Sequence, residues 1–302
     1  LPVLCLTLAL TSAYAQEACP SGPIVTVDGA GRTANALWEY LAVYFTSKWL
    51  PHHHIPYSRR HIHKLLTPIF DNVSLPIVED IPESCGCCKN LTGVYSAQYL
   101  STSADTAENF KNHTGDVVLK RCLVLIPPMV TDMKEIKQIL PYKKELIDHS
   151  EKKLAEIRND YFKKTKISNV TFVGIHVRRD DYLPLLSYRK LTIPGPEFYV
   201  AAMNYFRNKA ELGTPVFVIT SDDLKWTKEH LSAPDAYINF EGKTGFSDSP
   251  GQDMALLSYC NHSIIDYGTF GWWTAFYTEG EVISVYAGAT QAYLVLKNNP
   301  KF

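Results

Sequence analysis

The run Val170-Thr171-Phe172-Val173-Gly174-Ile175-His176-Val177 constrains the fold more than any other stretch of the chain. Eight residues rich in β-branched side chains read as a buried strand. The run stops abruptly at Arg178-Arg179-Asp180-Asp181-Tyr182. In an open α/β sheet, ligands sit just beyond the carboxyl ends of strands. Two adjacent guanidiniums there are fixed, always-charged forks suited to phosphate oxygens. An Arg-Asp ion-pair cluster that merely closes the strand end is the competing reading.

The segments that follow alternate in type. Beyond the strand at 170–177, a helix is expected at 197–211 and a strand at 216–220. Then come a helix at 224–231, a strand at 237–240, a helix at 252–259, a strand at 262–265, a helix at 269–278 and a strand at 281–286. Such alternation implies a mostly parallel, doubly wound sheet. The first half opens likewise, with a strand at 24–27, the turn Asp28-Gly29-Ala30-Gly31-Arg32 and a helix at 33–49. Leu37, Tyr40, Leu41, Tyr44 and Phe45 recur there at helical spacing. A short strand near 53–55, a helix near 59–70, a loop-rich stretch to 116, a strand at 117–126 and a Lys/Glu-rich helix at 142–162 complete it. Lys163 to Lys166 reads as a connector, so the expected division is 16–165 and 166–302.

A formal net charge of -1 excludes a nucleic-acid partner held by bulk electrostatics, so any anion must be gripped by local charge. Leu1 to Ala15 is apolar and ends Ala13-Tyr14-Ala15, which fits a signal peptide or the remnant of a signal anchor. Either sends the protein into the secretory pathway, an anchor with membrane association and a cleaved signal peptide as a secreted form. Sequons at Asn72, Asn90 and Asn112 lie in loop-like contexts and are expected to carry glycans. Those at Asn169 and Asn261 adjoin strands and are expected to be too buried. Without Cys5, six cysteines remain (Cys19, Cys85, Cys87, Cys88, Cys122, Cys260), permitting up to three disulfides in an oxidising lumen.

Further chemistry clusters at other strand ends. Thr220-Ser221-Asp222-Asp223 offers hydroxyls and carboxylates to a ribose or base, unless Ser221 or Asp222 simply caps the next helix. Asp253, in the first turn of its helix, suits the amidine edge of a guanine or merely the helix dipole. In Asp266-Tyr267-Gly268-Thr269-Phe270-Gly271-Trp272-Trp273, the glycines allow close backbone approach. The Thr269 hydroxyl and the helix N-terminus then make an anion site, while Trp272 and Trp273 read as core. His52, His53, His54, His61 and His63 include neighbours that alternate in direction, so they read as a solvated set rather than one metal site. No D-x-D carboxylate pair of the kind that holds a divalent ion on nucleotide phosphates occurs in the chain.

Taken together, these segments resemble the α-1,2-fucosyltransferases of glycosyltransferase family 11. The likeness rests on His176, Arg178, Arg179, Asp181 and Tyr182, matching H-x-R-R-x-D-Y. It rests also on Cys260, Asn261, His262, Ile264, Gly268, Thr269, Phe270, Gly271 and Trp273. Gly31, Arg32, Asn35 and Tyr40 match a G-R-x-G-N-x-x-x-x-Y turn, with Ala34 in place of its second glycine.

The resemblance implies an α/β, GT-B-like fold of two Rossmann-like domains with a cleft between them. It implies GDP-β-L-fucose as donor, a β-galactoside as acceptor, inversion at the sugar, no cofactor and no metal, and a Golgi location. His176, Arg178, Arg179, Ser221, Asp222, Asp253, Thr269, Phe270 and Gly271 are then the expected donor contacts. Arg178 is the expected leaving-group stabiliser and Arg179 the second choice, one of the pair facing the ligand and the other pairing with Asp181. A base for the acceptor hydroxyl is expected among Asp28, Asp181 and Glu39, with Asp28 facing the cleft. Transfer of another sugar or to another acceptor, and a relative that binds glycan or nucleotide without turnover, are the alternatives.

Overall fold

The computed structural model describes residues 19–29, 31–50, 52–86, 94–95, 112–119, 133–238, 250–285 and 293–296. The expected leader, Cys87, Cys88, Cys122 and the Asn90 sequon lie outside the described residues.

In the first half, β1 (Ile24–Val27) enters α1 (Thr33–Trp49). Then follow β2 (Ile55–Pro56), α2 (Arg60–Leu66), β3 (Val94–Tyr95), β4 (Val117–Leu119), α3 (Met133–Ile139) and α4 (Lys144–Thr165). Its sheet runs β2-β1-β4-β3, with every pairing parallel.

The second half comprises β5 (Val170–Val177), α5 (Tyr182–Tyr188), α6 (Pro196–Arg207), β6 (Thr214–Ser221), α7 (Leu224–Leu231), β7 (Ala236–Ile238), α8 (Pro250–Ser258), β8 (His262–Ile265), α9 (Thr269–Tyr277), β9 (Val282–Val285) and β10 (Tyr293–Leu296). Its sheet runs β10-β9-β8-β5-β6-β7, parallel except for β10. Strands added in sequence thus lie first on one side of β5 and then on the other. The order reverses between β5 and β8, the place where such sheets open a crevice for ligands.

The period of two along β5 and β6 explains how this sheet is covered. Phe172, Val216 and Val218 pack with Leu154, Ile157 and Tyr161 of α4. Val173, Ile175, Val177, Phe217 and Ile219 pack with Phe198, Tyr199, Ala202, Met203 and Phe206 of α6. Helix α4, written before residue 165, therefore shields a face of the second sheet.

The two halves share one core. Met254 and Ala255 of α8 and Trp273, Phe276 and Tyr277 of α9 are buried with the residues of α1. Trp38 lies 4.5 Å from both Trp272 and Trp273, ring centre to ring centre. The Trp273 indole N–H donates to the Ala34 carbonyl at 3.1 Å, so its polar handle is satisfied inside the core.

Several expectations require correction. The stretch after Arg179, read as loop, contains α5, because Pro184 falls in the first turn, where its missing N–H costs no bond. Lys163 to Thr165 continue α4, and the helix stops only at Lys166, whose φ of 65° is left-handed. Strands β3 and β10 and helix α3 were not anticipated. Asn169 and Asn261 are exposed rather than buried, as are Asn72 and Asn112. Cys19 and Cys85 form a disulfide. Cys260 is a free, buried thiol whose ionisation is suppressed by desolvation.

Replacing Trp273 by Ala should cost about 3–5 kcal/mol, since it opens a void at the seam of both halves; chemical denaturation measures this. Cys260 should resist alkylation in the native protein and react only on unfolding, as peptide mapping after iodoacetamide would show.

Candidate active site at the switch point

Beyond the carboxyl ends of β5, β6 and β8 lies a cleft of about 590 Å³, completed by the α1 N-terminus and by Leu65 of α2. That volume falls within the range of small-molecule sites.

Arg178 and Arg179 leave β5 in opposite directions, as alternation requires. Arg178 lines the cleft. Its guanidinium pairs with Asp181 and, at 3.1 Å, with Asp222, and it lies 5.4 Å from the Tyr182 ring. Arg179 is absent from the lining. It lies over the Trp226 ring at 3.8 Å and approaches Asp223 at 3.6 Å. The expectation that the non-ligand arginine takes Asp181 is therefore reversed, because the Asp181 carboxylate turns toward Arg178 and toward Arg32 at 2.7 Å.

Two buried carboxylates fix this turn. Asp266, past β8, accepts the Arg178 backbone N–H at 2.6 Å, and Asp222, past β6, accepts the Arg179 N–H at 2.7 Å. Asp266 also accepts the Tyr199 hydroxyl at 2.6 Å. Burial first, then the Asp266 charge, holds that phenol well above its ordinary range, so it remains a donor. The Asp222 carboxyl is pushed up by burial, against the pull of the Arg179 N–H and the Arg178 charge. The helix cap anticipated at Ser221 or Asp222 falls to Asp223, which accepts the Trp226 N–H at 3.0 Å. That leaves Asp222 for the arginines, while Ser221 accepts from the Asp223 N–H.

From β5 and β6, His176, Thr220, Ser221 and Asp222 face the cleft. Asp253 of α8, with Tyr267, Gly268, Thr269 and Phe270 before and in α9, forms a second wall. Gly268 adopts a φ of 106°, a conformation that side chains rarely tolerate, and passes beside Tyr182. Gly31, Arg32 and Asn35 form the third wall. The Thr269 hydroxyl donates to Asn35 Oδ1 at 2.8 Å, tying the second wall to the third. Thr269 was anticipated as a phosphate ligand, and here it first serves as a strut between the halves. Gly271 is buried behind the wall against His176.

The base candidates separate. Asp181 lines the cleft. Asp28 is exposed at the end of β1, outside the lining, with its backbone N–H on the Leu119 carbonyl. Glu39 is fully buried on α1, 3.9 Å from His61. The histidine set disperses, with both His54 ring nitrogens occupied by the His52 and Gly115 carbonyls. Among the described residues, no three His, Cys, Asp or Glu side chains gather as a metal site.

Asp266 and Tyr199 received no role from the sequence. An isolated Asp at a strand end was the available signal, and its partners are remote in the chain.

A family model for glycosyl transferase family 11 matches residues 130–297. A galactoside alpha-(1,2)-fucosyltransferase 1 from Rattus norvegicus is 27% identical over 290 residues, 93% of this chain and 72% of the relative. The same-named protein from Oryctolagus cuniculus is 41% identical over 114 residues, 37% of this chain; that stretch spans only 30% of the relative's length. Among solved structures, the fucosyltransferase NodZ from Bradyrhizobium superposes with a TM-score of 0.52 at 12% identity, covering 92% of this chain and 99% of its own. A FUT1 variant from Arabidopsis thaliana in complex with GDP gives 0.51 at 12% identity, covering 90% of this chain and 71% of its own. At that identity the likeness speaks for the fold alone, and it agrees with the GT-B-like arrangement of two parallel sheets flanking a cleft. With more than half of the chain matched by the family model, the protein belongs to glycosyl transferase family 11.

Proposed function

We propose that this protein transfers L-fucose from GDP-β-L-fucose to the 2-hydroxyl of a terminal β-galactoside, inverting the sugar and using no metal. The observation that carries the reading is Arg178, a guanidinium in the cleft at the point where the strand order reverses. Family membership and the names of the rat and rabbit relatives support the sugar and the linkage.

Transfer breaks the bond between the fucosyl C1 and an oxygen of the β-phosphate while the acceptor oxygen attacks the opposite face. Negative charge grows on the departing diphosphate. A preorganised donor aimed at such charge is worth about 3–4 kcal/mol. Arg178 is such a donor, held by its backbone N–H on Asp266 and by its side chain between Asp181 and Asp222. The incoming phosphates compete with Asp181 for that guanidinium, and Asp181 retains Arg32 as an alternative partner. Ser221 and Asp253 stand along the lining where the nucleoside end would lie. Arg179 acts one step away, since its stacking on Trp226 anchors the turn that presents Arg178.

Of the candidate bases, Asp181 alone stands in the cleft, and its carboxylate is engaged by both Arg178 and Arg32. Its service is to align Arg178 and Arg32. Asp28, exposed at the carboxyl end of β1, is the base candidate for an acceptor that approaches from that side.

A location in the secretory lumen, behind an N-terminal anchor in the Golgi membrane, is part of the same reading. The Cys19–Cys85 disulfide favours an oxidising compartment, and Asn72 and Asn112 present sequons at the surface.

Arg178→Ala should lower kcat by about 10²–10³-fold with little loss of thermal stability. Asp222, pushed up by burial, can take a proton once its partner is gone, which spares the fold an uncompensated charge. Arg178→Lys should also be slow, because an ammonium lacks the planar fork. Release of GDP from GDP-fucose with lactose as acceptor is the assay, and unchanged turnover in Arg178→Ala would remove the assignment. Treatment with EDTA should leave the wild-type rate unaltered; loss of activity restored by a divalent ion would reject the metal-free route.

A further inference from the structure

The buried carboxylate of Asp266 has two oxygens with different tasks. Oδ2 accepts the Arg178 N–H and the Tyr199 hydroxyl, each at 2.6 Å. Oδ1 accepts no hydrogen bond among the described residues, although Asp266 is only 4% exposed. Facing it at 3.6 Å is Nδ1 of His176, itself buried and also without a hydrogen-bond partner there. At 3.6 Å the two lie just beyond hydrogen-bond distance, and a proton on Nδ1 gives the buried Oδ1 its nearest donor.

The surroundings hold the ring in this pose. Its face lies 5.1 Å from Phe270. Behind it stands Gly271, where a Cβ would come within 2.9 Å of Nδ1. The absent side chain at Gly271 thus leaves room for the Nδ1 edge, and the other edge, with Nε2, is the one that meets the cleft the ring lines.

We infer that Asp266 is a positioning residue that fixes the Nδ1–H tautomer of His176 and supports its imidazolium, so that binding of a nucleoside diphosphate is accompanied by uptake of one proton at Nε2. This rests on the proposed GDP-sugar cleft for its ligand, but the tautomer does not. The sign follows from charge. An entering diphosphate adds negative charge on the Nε2 side, which favours the cation in the complex. The bound proton makes His176 a second donor to the anion beside Arg178. Other ionisable groups on the surrounding elements are Arg32, Arg178, Asp181, Tyr182, Tyr199, Asp222, Asp253 and Tyr267. Tyr182 and Tyr199 are held in the phenol form by burial, so neither supplies the titration.

Two measurements test this on the whole protein. Nitrogen-15 spectra of the ligand-free protein should show His176 with a protonated Nδ1 and a bare Nε2 in its neutral form; an Nε2–H tautomer overturns the inference whether or not GDP binds. Calorimetric titration with GDP near neutral pH, in buffers of different ionisation enthalpy, should show uptake of up to one proton. Asp266→Asn should lose most of that uptake while still binding GDP, and Tyr199→Phe, which leaves Oδ1 untouched, should keep it. Uptake that is absent in the wild type, or unchanged in Asp266→Asn, rejects the linkage. Failure of GDP to bind at all rejects the proposed ligand and the linkage with it, and leaves the tautomer assignment to stand or fall on the spectra.

Discussion

Two hydrogen bonds from the backbone decide where the positive charge of this molecule points. The N–H groups of Arg178 and Arg179 end on Asp266 and Asp222, carboxylates delivered by the strands on either side of β5. Charge-assisted bonds of this kind are short and roughly twice as strong as neutral ones. They lock the turn at its first residue, so that alternation alone sends one guanidinium into the cleft and the other onto Trp226. A fixed cation costs little reorganisation when a ligand's charge develops, which is the property an electrostatic catalyst needs.

That turn would be of little use if the opposite wall could drift. Trp38, Trp272 and Trp273 fill the space between α1 and α9, and the Trp273 N–H and the Thr269 hydroxyl reach across to Ala34 and Asn35. Large aromatic contacts combined with directed hydrogen bonds define spacing better than either would alone. The cleft is thereby set by the folding of the shared core rather than by a hinge between independent units.

Much of this was legible in the sequence, because the strongest signals are local. The β-branched run at 170–177, the helical spacing in α1 and the glycine turn before α9 each declare their element within a dozen residues. What could not be read is what depends on remote partners. Asp266 owes its role to Arg178 and Tyr199, residues 88 and 67 positions away. Whether Asp222 or Asp223 caps α7 turns on a difference of one residue that only the three-dimensional turn settles. The membership of α4 in the core of the second sheet was obscured by its lysine-rich surface, while its buried face carries Leu154, Ile157 and Tyr161.

The proposed function depends on a guanidinium at the strand-order reversal receiving the diphosphate. The most direct measurement is the crystal structure of the protein soaked with GDP in the presence of a chelator. A β-phosphate oxygen should lie within hydrogen-bond distance of Arg178 Nη1 or Nη2, with Asp181 turned to Arg32. A diphosphate seated away from Arg178, or held through a metal ion, would contradict it.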